Sequence, residues 1–381
     1  MNIGTIFIVA AGAMLGALAG AAEIKTVEPA DGEVVTLLTD SQKAFLDMSC
    51  ERRREKFVDE DFRKNMGYPA ERVPGERKAR AAYCPKTVRL AWNALDGVDE
   101  YKVSVKDAKT GAIVVEQSVK GAATNVDNLE VAAEYEWSVT GGGATGGGRF
   151  KTEDRVPRLV RFPGMANVRD LGGWVGLGGR RVRQGLVFRS AGMNANADTG
   201  PNGTAPGKSW VEGENGEYIR KRFGIRTDID LRTDEECSGM TGSPLGPDVK
   251  WFHCSSSAYG GMQDEKGREA FAKVFRVFLD EKNYPIDFHC ISGADRTGSL
   301  AYIFCGLLGA DEELLARDWE TTGFWARGVG FCHAKRYDRL VDGFNKNFPA
   351  ATTRERLEKY VVSLGFTEGD IEKFRSIMLE K

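Results

Sequence analysis

The sequence predicts an all-β sandwich followed by a larger α/β domain with a central, mostly parallel sheet flanked by helices. Short runs of alternating apolar and polar residues between positions 85 and 153 indicate the sandwich. From 154 to 381, β-prone runs alternate with helical patterns, which is typical of a sheet covered by helices. A chain of 381 residues is long enough for both domains and a further N-terminal region.

Residues 1–22 are apolar, rich in small side chains, and end in an Ala-x-Ala-like sequence near Ala21 and Ala22. This pattern predicts a signal peptide that directs the protein out of the cytoplasm, to the periplasm or the medium. Because no Lys or Arg precedes the apolar run, an uncleaved N-terminal anchor is the alternative.

Residues 23–84 are predicted to form a helical segment. Apolar residues that include Phe45, Leu46 and Phe57 recur between Thr39 and Asn65 in a charged, helix-compatible stretch. The charged run 51–56 is interpreted as a solvated helix face.

The region 85–153 contains short β-prone runs separated by turn signals such as Asp96-Gly97. The runs are Val88–Trp92, Tyr101–Val105, Ile113–Val115, Glu134–Val139 and Phe150–Thr152. The glycine-rich stretch 141–148 lacks the Gly-Lys-Ser/Thr ending of a nucleotide-binding loop, and we predict a flexible hairpin connection there. With Trp92 and the corner from Leu129 to Tyr135, the region resembles a fibronectin type III domain, an immunoglobulin-like sandwich. The resemblance implies a spacer or a surface that contacts carbohydrate or protein.

The segment from His289 to Gly298 reads His-Cys-Ile-Ser-Gly-Ala-Asp-Arg-Thr-Gly and carries the most informative pattern of the chain. Arg296 follows Cys290 at the sixth position, and none of the other six cysteines has Arg at this spacing. The β-prone run 284–289 precedes the segment, and the apolar run 298–309 predicts a buried helix after it. A strand, a glycine loop and a helix are the context that a phosphate-binding loop requires.

This spacing suits the capture and cleavage of a phosphate monoester by a cysteine nucleophile. Backbone N–H groups and the helix dipole attract the anion, and Arg296 binds two of its oxygens through a planar guanidinium. The same positive field should lower the pKa of Cys290, so that its thiolate attacks phosphorus. Thr297 is expected to donate a hydrogen bond to the departing sulfur, and His289 to stiffen the loop. The predicted phosphate-binding loop consists of Ile291, Ser292, Gly293, Ala294, Asp295, Arg296 and Thr297.

The alternative to a catalytic role of Cys290 and Arg296 is that they are a buried, inert cysteine and a surface arginine. A module that binds phosphate or serves in adhesion without turnover is a further hypothesis, against which the intact Cys290, Asp295 and Arg296 argue.

The segment resembles the signature of the cysteine-dependent tyrosine phosphatases, in particular the bacterial branch whose loop reads His-Cys-x-x-Gly-x-Asp-Arg-Thr-Gly. The stretches 167–173, 186–191 and 224–232 resemble the motifs that precede this loop, and Asp318-Trp319-Glu320 lies where the family often has Asp-Tyr. The resemblance covers about residues 158–381 and implies a protein-tyrosine phosphatase, or one of dual specificity. A phosphoinositide or inositol-phosphate substrate is the alternative. Ala294 stands where some members of the family have Lys. The absence of this charge argues mildly against a highly anionic inositol-phosphate substrate.

The mechanism requires a carboxylic acid that protonates the leaving oxygen and a base that activates water. Three carboxylates are candidates. The resemblance implies a catalytic or orienting role for Asp295 and for Asp230, while Asp230 is alternatively the ion-pair partner of Arg232 or Arg226. Asp264 is either an acid on a loop that precedes the signature or the N-cap of the next helix.

Two arginines of the matched stretches, Arg169 and Arg189, either line the phosphate pocket or pair with Asp170 and other carboxylates. The expected partner of the site is a phosphorylated protein or a small phosphate monoester. A net charge of −2 gives no general attraction to nucleic acid, and three histidines without ligand spacing give no metal site. The mechanism needs no cofactor.

The remaining segments complete the predicted α/β domain. Further helices are predicted over 264–282, 353–363 and 368–378, and a surface loop over 198–210. Six cysteines besides Cys290 leave the disulfide pairing open, although Cys305 in the apolar helix is expected to be a buried free thiol.

Overall fold

The structure is a computed structural model that describes residues 23–51, 53, 84–193, 211, 214–324 and 334–381. The predicted signal peptide 1–22, the loop 198–210 and most of the predicted helix beyond residue 53 lie outside these residues. None of the helices in the described part is both long and apolar enough to cross a membrane.

Two sheets form the N-terminal β domain, a three-stranded sheet in the order β1-β3-β6 and a five-stranded sheet in the order β2-β8-β7-β4-β5. Leu90 and Trp92 of the first sheet share one apolar cluster with Tyr101 and Trp137 of the second. The sheets therefore pack face to face. The strands are β1 Thr26–Glu28, β2 Glu33–Val35, β3 Val88–Trp92, β4 Glu100–Asp107, β5 Ile113–Lys120, β6 Ala123–Val126, β7 Glu134–Gly141 and β8 Ala144–Thr152.

The helical prediction for residues 23–84 is wrong at its beginning, because β1 and β2 lie there. Both strands are three residues long and half-exposed, with Val27 at 66% and Val34 at 62% exposure. Their conformation depends on pairing with β3 and β8, which are distant in sequence and give no local signal. A helix does follow over Asp40–Leu46, α1, with Thr39 as its N-cap.

The hairpin predicted over residues 141–148 is confirmed, but its connection is shorter than predicted. Strand β7 continues to Gly141 and β8 begins at Ala144, so that the turn consists of Gly142 and Gly143 alone. Both turn residues have positive φ, 57° and 80°, which glycine adopts without strain. The following glycines pair with β7 as ordinary strand residues.

The α/β domain contains a five-stranded sheet in the order β12-β11-β13-β10-β9. The first four of these strands are parallel to their neighbours, and β9 is antiparallel to β10. This is the mostly parallel sheet that the sequence predicts. The strands are β9 Arg169–Asp170, β10 Val187–Ala191, β11 Thr227–Asp230, β12 Lys250–His253 and β13 Ile286–Cys290.

Helices cover the faces of this sheet, and the most buried of them directly follows the central strand β13. The described helices of the domain are α2 Glu214–Phe223, α3 Glu265–Phe278, α4 Asp295–Leu307, α5 Glu312–Thr321, α6 Ala334–Asn347, α7 Thr353–Ser363 and α8 Glu368–Met378. The helices predicted over 264–282, 298–309, 353–363 and 368–378 are confirmed as α3, α4, α7 and α8. A capping box formed by Thr352 and Glu355 is present at the start of α7.

Helix α1 packs on the α/β domain although it lies between β2 and β3 of the β domain in sequence. Phe45 and Leu46 belong to the apolar core of the α/β domain, and the ring of Phe45 lies 5.1 Å from that of Phe324. Arg53, which is fully buried, forms ion pairs with Glu313 and Glu320 on α5. The N-terminal segment is therefore divided between the two domains.

Candidate active site

The predicted phosphate-binding loop lies at the carboxyl end of the central strand. Cys290 is the last residue of β13, and α4 begins at Asp295. Gly293 has a φ of 63°, and a Cβ at this position would lie 2.3 Å from the carbonyl oxygen of Ser190. Only glycine therefore allows the loop to pass this close to β10. Ala294 is the N-cap of α4 and makes no side-chain capping bond.

The environment of Cys290 favours its thiolate. The side chain is 2% exposed, and burial alone would raise its pKa. The charge of Arg296, and interactions with Thr297 and with the backbone N–H of Ser292, outweigh burial and hold the pKa of Cys290 below its ordinary value. This agrees with the expected activation of the nucleophile by the loop.

Arg296 lies beside Cys290 and is oriented by Glu236. Its Nη1 lies 2.7 Å and its Nη2 3.2 Å from the two carboxylate oxygens of Glu236, and Nη1 also donates to the carbonyl of Leu231. Glu236 in turn accepts a hydrogen bond of 2.7 Å from the backbone N–H of Thr233. Glu236 was not predicted as a site residue, although the Thr-x-x-Glu spacing after β11 is a local signal for such a turn.

His289 lies beneath the loop and is fully buried between two carboxylates. Its Nε2 lies 3.0 Å from Oδ1 of Asp228, and its Nδ1 lies 3.9 Å from Oδ1 of Asp230. Burial lowers the pKa of the imidazole, but the two carboxylates outweigh this effect and raise it to about 9. The residue before the nucleophile is therefore a buried cation at neutral pH.

Asp230 does not have the properties of a general acid. It is fully buried, and Nε and Nη2 of Arg232 donate to its two oxygens at 2.9 and 2.6 Å. Burial would raise the pKa of this carboxyl, but His289 and Arg232 hold it far below its usual range. A carboxylate that remains ionised has no proton to donate. The alternative prediction, an ion pair with Arg232, is what the structure contains, and Arg226 is not the partner.

Asp295, the loop carboxylate, lies at the start of α4 and is half-buried. Its Oδ1 accepts hydrogen bonds from the hydroxyl of Tyr259 and from Nη1 of Arg336. Asp264 is exposed at the N-cap position of α3, as one of its two interpretations predicts, but its side chain makes no capping bond. Of the three candidates, Asp295 is the one that belongs to the loop and retains access to solvent.

Arg169 and Arg189 lie behind the loop, where both pair with Asp318 of α5. Arg169 donates to Oδ1 of Asp318 at 2.7 Å, and Arg189 contacts its Oδ2. Arg189 also donates to the carbonyl of Gly293 at 2.7 Å. Asn167 accepts from Arg169 and donates to the carbonyls of Ser292 and Gly293. The two arginines thus support the loop, and Asp318 is their counter-ion instead of Asp170.

The described residues contain no group of three or more His, Cys, Asp or Glu side chains placed to hold a metal ion. The thiols of Cys84, Cys237, Cys254, Cys290 and Cys305 are free in the described part of the chain, and Cys332 lies outside it. Taken together, the site is a backbone loop at a helix N-terminus with a thiolate and a guanidinium. Such a site can hold an anion with phosphorus in line with sulfur.

Residues 160–205 and 208–380, more than half of the chain, match the model of the tyrosine phosphatase family. The protein therefore belongs to the tyrosine phosphatase family. A Cupriavidus necator protein named as a tyrosine-protein phosphatase is 30% identical over 177 residues, which are 42% of this chain and 62% of that protein. The match thus spans less than two thirds of the relative's length.

Two solved structures show weaker similarity. The core catalytic domain of the PP-IP phosphatase SIW14 from S. cerevisiae, in complex with citrate, is 16% identical with a TM-score of 0.25. The alignment covers 46% of this chain and 92% of that domain. A second structure of the SIW14 catalytic core is 14% identical with a TM-score of 0.26, covering 50% of this chain and 94% of that core.

Proposed function

We propose that the protein hydrolyses phosphate monoesters through a phosphocysteine intermediate on Cys290. The observation that carries this proposal is a buried cysteine with a lowered pKa at the end of β13, beside the guanidinium of Arg296. A thiolate is the reactive form of cysteine, and Arg296 and the loop N–H groups supply the charge that a phosphate dianion needs.

The reaction has two steps. The thiolate of Cys290 attacks phosphorus, an S–P bond forms, and the ester P–O bond breaks as the leaving oxygen takes a proton from the carboxyl of Asp295. Water then attacks phosphorus, gives its proton to the Asp295 carboxylate, and the S–P bond breaks to release inorganic phosphate and the thiolate. Arg296 stabilises the charge on the equatorial oxygens in both steps.

The preferred substrate in this proposal is phosphotyrosine in a protein, with other protein phosphomonoesters as secondary substrates. The name of the Cupriavidus necator relative supports this choice. Ala294 contributes a methyl group to the loop instead of a second charge, which suits a single phosphate better than a highly anionic ligand. The apolar N-terminus further leads us to propose that the enzyme acts outside the cytoplasm. The contact role of the β domain stays a prediction.

A substrate panel on the wild-type protein and on Cys290→Ser tests the function. The panel contains a phosphotyrosine peptide, a phosphoserine peptide and inositol phosphates. We expect the highest kcat/KM for phosphotyrosine and a loss of at least about a thousandfold in Cys290→Ser, because the serine hydroxyl is not ionised. The matched control is Cys254→Ser, which changes another buried free thiol and should retain activity.

Equal activity of Cys290→Ser and the wild type would refute the mechanism. A preference for inositol phosphates would assign the alternative substrate, and binding of phosphopeptide without release of phosphate would assign the non-catalytic function.

A further inference from the structure

Asp295 is held by two side chains that come from other parts of the chain. Tyr259 lies in a 3-10 helix, Tyr259–Gln263, that directly precedes α3. Arg336 lies in the first turns of α6. The hydroxyl of Tyr259 donates to Oδ1 of Asp295, and Nη1 of Arg336 lies 3.3 Å from the same oxygen.

Tyr259 and Arg336 also contact each other. Nη1 of Arg336 donates to the tyrosine oxygen at 3.0 Å, and its guanidinium carbon lies 5.6 Å above the centre of the ring. The three groups therefore form a closed triangle of hydrogen bonds. Because each side chain is fixed by the other two, the rotamer of Asp295 is restrained more than a single hydrogen bond would restrain it.

A second contact joins the backbones of Tyr259 and Asp295 through Ser299, which is fully buried. The hydroxyl oxygen of Ser299 accepts from the N–H of Tyr259 at 3.0 Å, and the hydroxyl donates to the carbonyl of Asp295 at 2.9 Å. Tyr259 has a φ of 55°, a conformation that non-glycine residues rarely adopt. A strained residue held at both its backbone and its side chain indicates a position under functional constraint.

Tyr259 is suited to act as a donor over the whole working range of pH. Burial and the neighbouring Asp295 raise the pKa of the tyrosine hydroxyl above its ordinary value, although Arg336 opposes them. The hydroxyl therefore keeps its proton and can donate it in a hydrogen bond to Asp295.

We propose that Tyr259 and Arg336 are positioning residues that present Asp295 to the oxygen of the leaving group. Both of their hydrogen bonds fall on Oδ1 of Asp295. Oδ2 is then the oxygen that carries the transferred proton, which moves to the leaving group as the P–O bond breaks and returns from water as the S–P bond breaks. This inference rests on the phosphocysteine mechanism proposed above.

Two aryl phosphates separate this role from a purely structural one. Dinitrophenolate leaves without protonation, whereas the phenolate of phenyl phosphate needs a proton from the enzyme. Tyr259→Phe should lower kcat/KM for phenyl phosphate by between about threefold and tenfold, which is the effect of one hydrogen bond. It should leave kcat/KM for dinitrophenyl phosphate unchanged. Asp295→Asn should lower kcat/KM for phenyl phosphate by about a hundredfold or more.

A double-mutant cycle tests whether the tyrosine acts through Asp295. Adding Tyr259→Phe to Asp295→Asn should cause no further loss, because the proton donor is already absent. Tyr284→Phe is the matched control. It removes a buried tyrosine hydrogen bond to Phe278 at the opposite end of β13 and should affect neither substrate.

Equal losses on the two substrates, no loss on either, or full additivity in the cycle would each overturn the assignment. A wild-type protein that turns over neither aryl phosphate would instead refute the proposed function.

Discussion

At the residue scale, the polar groups beneath Cys290 neutralise one another inside the sheet. Strands β11 and β13 pair Asp230 with His289 and Asp228 with Asp287, so that all four side chains lie on one face. Burial and the charge of Asp228 raise the pKa of Asp287 to about 7, while the cationic His289 opposes the rise. The hydroxyl of Ser190 also donates to Asp287 at 2.8 Å. Positive charge on His289 therefore stabilises carboxylates that burial would otherwise destabilise.

Asp228→Asn should remove a pH-dependent contribution to stability. The pKa of His289 is about 9 in the folded protein, above its ordinary value of about 6.5. The ion pair therefore contributes fully below about pH 6.5, and its contribution is lost as the pH rises through about 9. The free energy of unfolding of the variant, measured with urea, should lie below that of the wild type at about pH 6.5, and the gap should narrow towards about pH 10.

Asp248→Asn is the matched control, since Asp248 forms an ion pair with Arg220 and is 84% exposed. It should change the free energy of unfolding by less than about 1 kcal/mol at any pH. A gap between Asp228→Asn and the wild type that stays constant from about pH 6.5 to about pH 10 would show that His289 is not a buried cation.

At the scale of elements, helix α5 supports the phosphate loop from behind through one carboxylate. Asp318 is the shared partner of Arg169 and Arg189, and Arg189 extends from Asp318 to the carbonyl of Gly293. Burial and the charge of Arg169 lower the pKa of Arg189 to about 10, and Asp318 limits this fall. Helix α5 thus supplies the counter-ion of two buried guanidinium groups, one of which also holds the loop.

Asp318→Asn should destabilise the protein by about 3–5 kcal/mol, because it leaves two buried guanidinium groups without a counter-ion. Chemical denaturation measures this effect. Asp342→Asn on the exposed face of α6 serves as the control and should change stability by less than about 0.5 kcal/mol. If the two variants are equally stable, the arginine pair does not depend on Asp318.

The elements themselves were largely predictable, whereas the partners within the site were not. The period of the apolar pattern predicts β3, β7, α3 and α4, and the spacing of Cys290 and Arg296 identifies the loop. Glu236, Tyr259 and Arg336 reach the loop from three separate segments, and no local pattern reports such contacts. For the same reason the sequence left Asp230 open as an acid, since its buried pairing is a property of the folded sheet.

At the scale of the whole molecule, the β domain and the α/β domain share a polar junction. Gln184 exchanges two hydrogen bonds of 2.9 Å with the backbone of Val131. Arg158 pairs with Asp170 at 2.7 Å and donates to the carbonyls of Asn128 and Leu129 in the β domain. With α1 packed on the α/β core, the chain crosses between the domains more than once. Polar contacts thus join the β domain to the α/β domain at more than one point.

Arg53→Ala should destabilise the α/β domain although Arg53 lies between β2 and β3 of the β domain in sequence. The variant leaves Glu320, which is 2% exposed, without this ion pair, at a cost of about 3–5 kcal/mol. The matched control is Arg89→Ala, whose ion pair with Glu28 is about half exposed on both sides and is worth about 0–1 kcal/mol. Thermal unfolding measures this difference, and we expect a lower melting temperature for Arg53→Ala than for Arg89→Ala. Equal melting temperatures would exclude a structural role of the N-terminal segment in the catalytic domain.

Trapping the phosphocysteine is the most direct test of whether Cys290 is the nucleophile. Wild-type protein is mixed with an aryl phosphate, quenched within a single turnover and digested, and the peptides are analysed for added phosphate. We expect one phosphoryl group on the sulfur of Cys290 in the wild-type protein and no phosphorylated peptide from Cys290→Ser. Turnover without a phosphorylated peptide, or with phosphate on another residue, would contradict it.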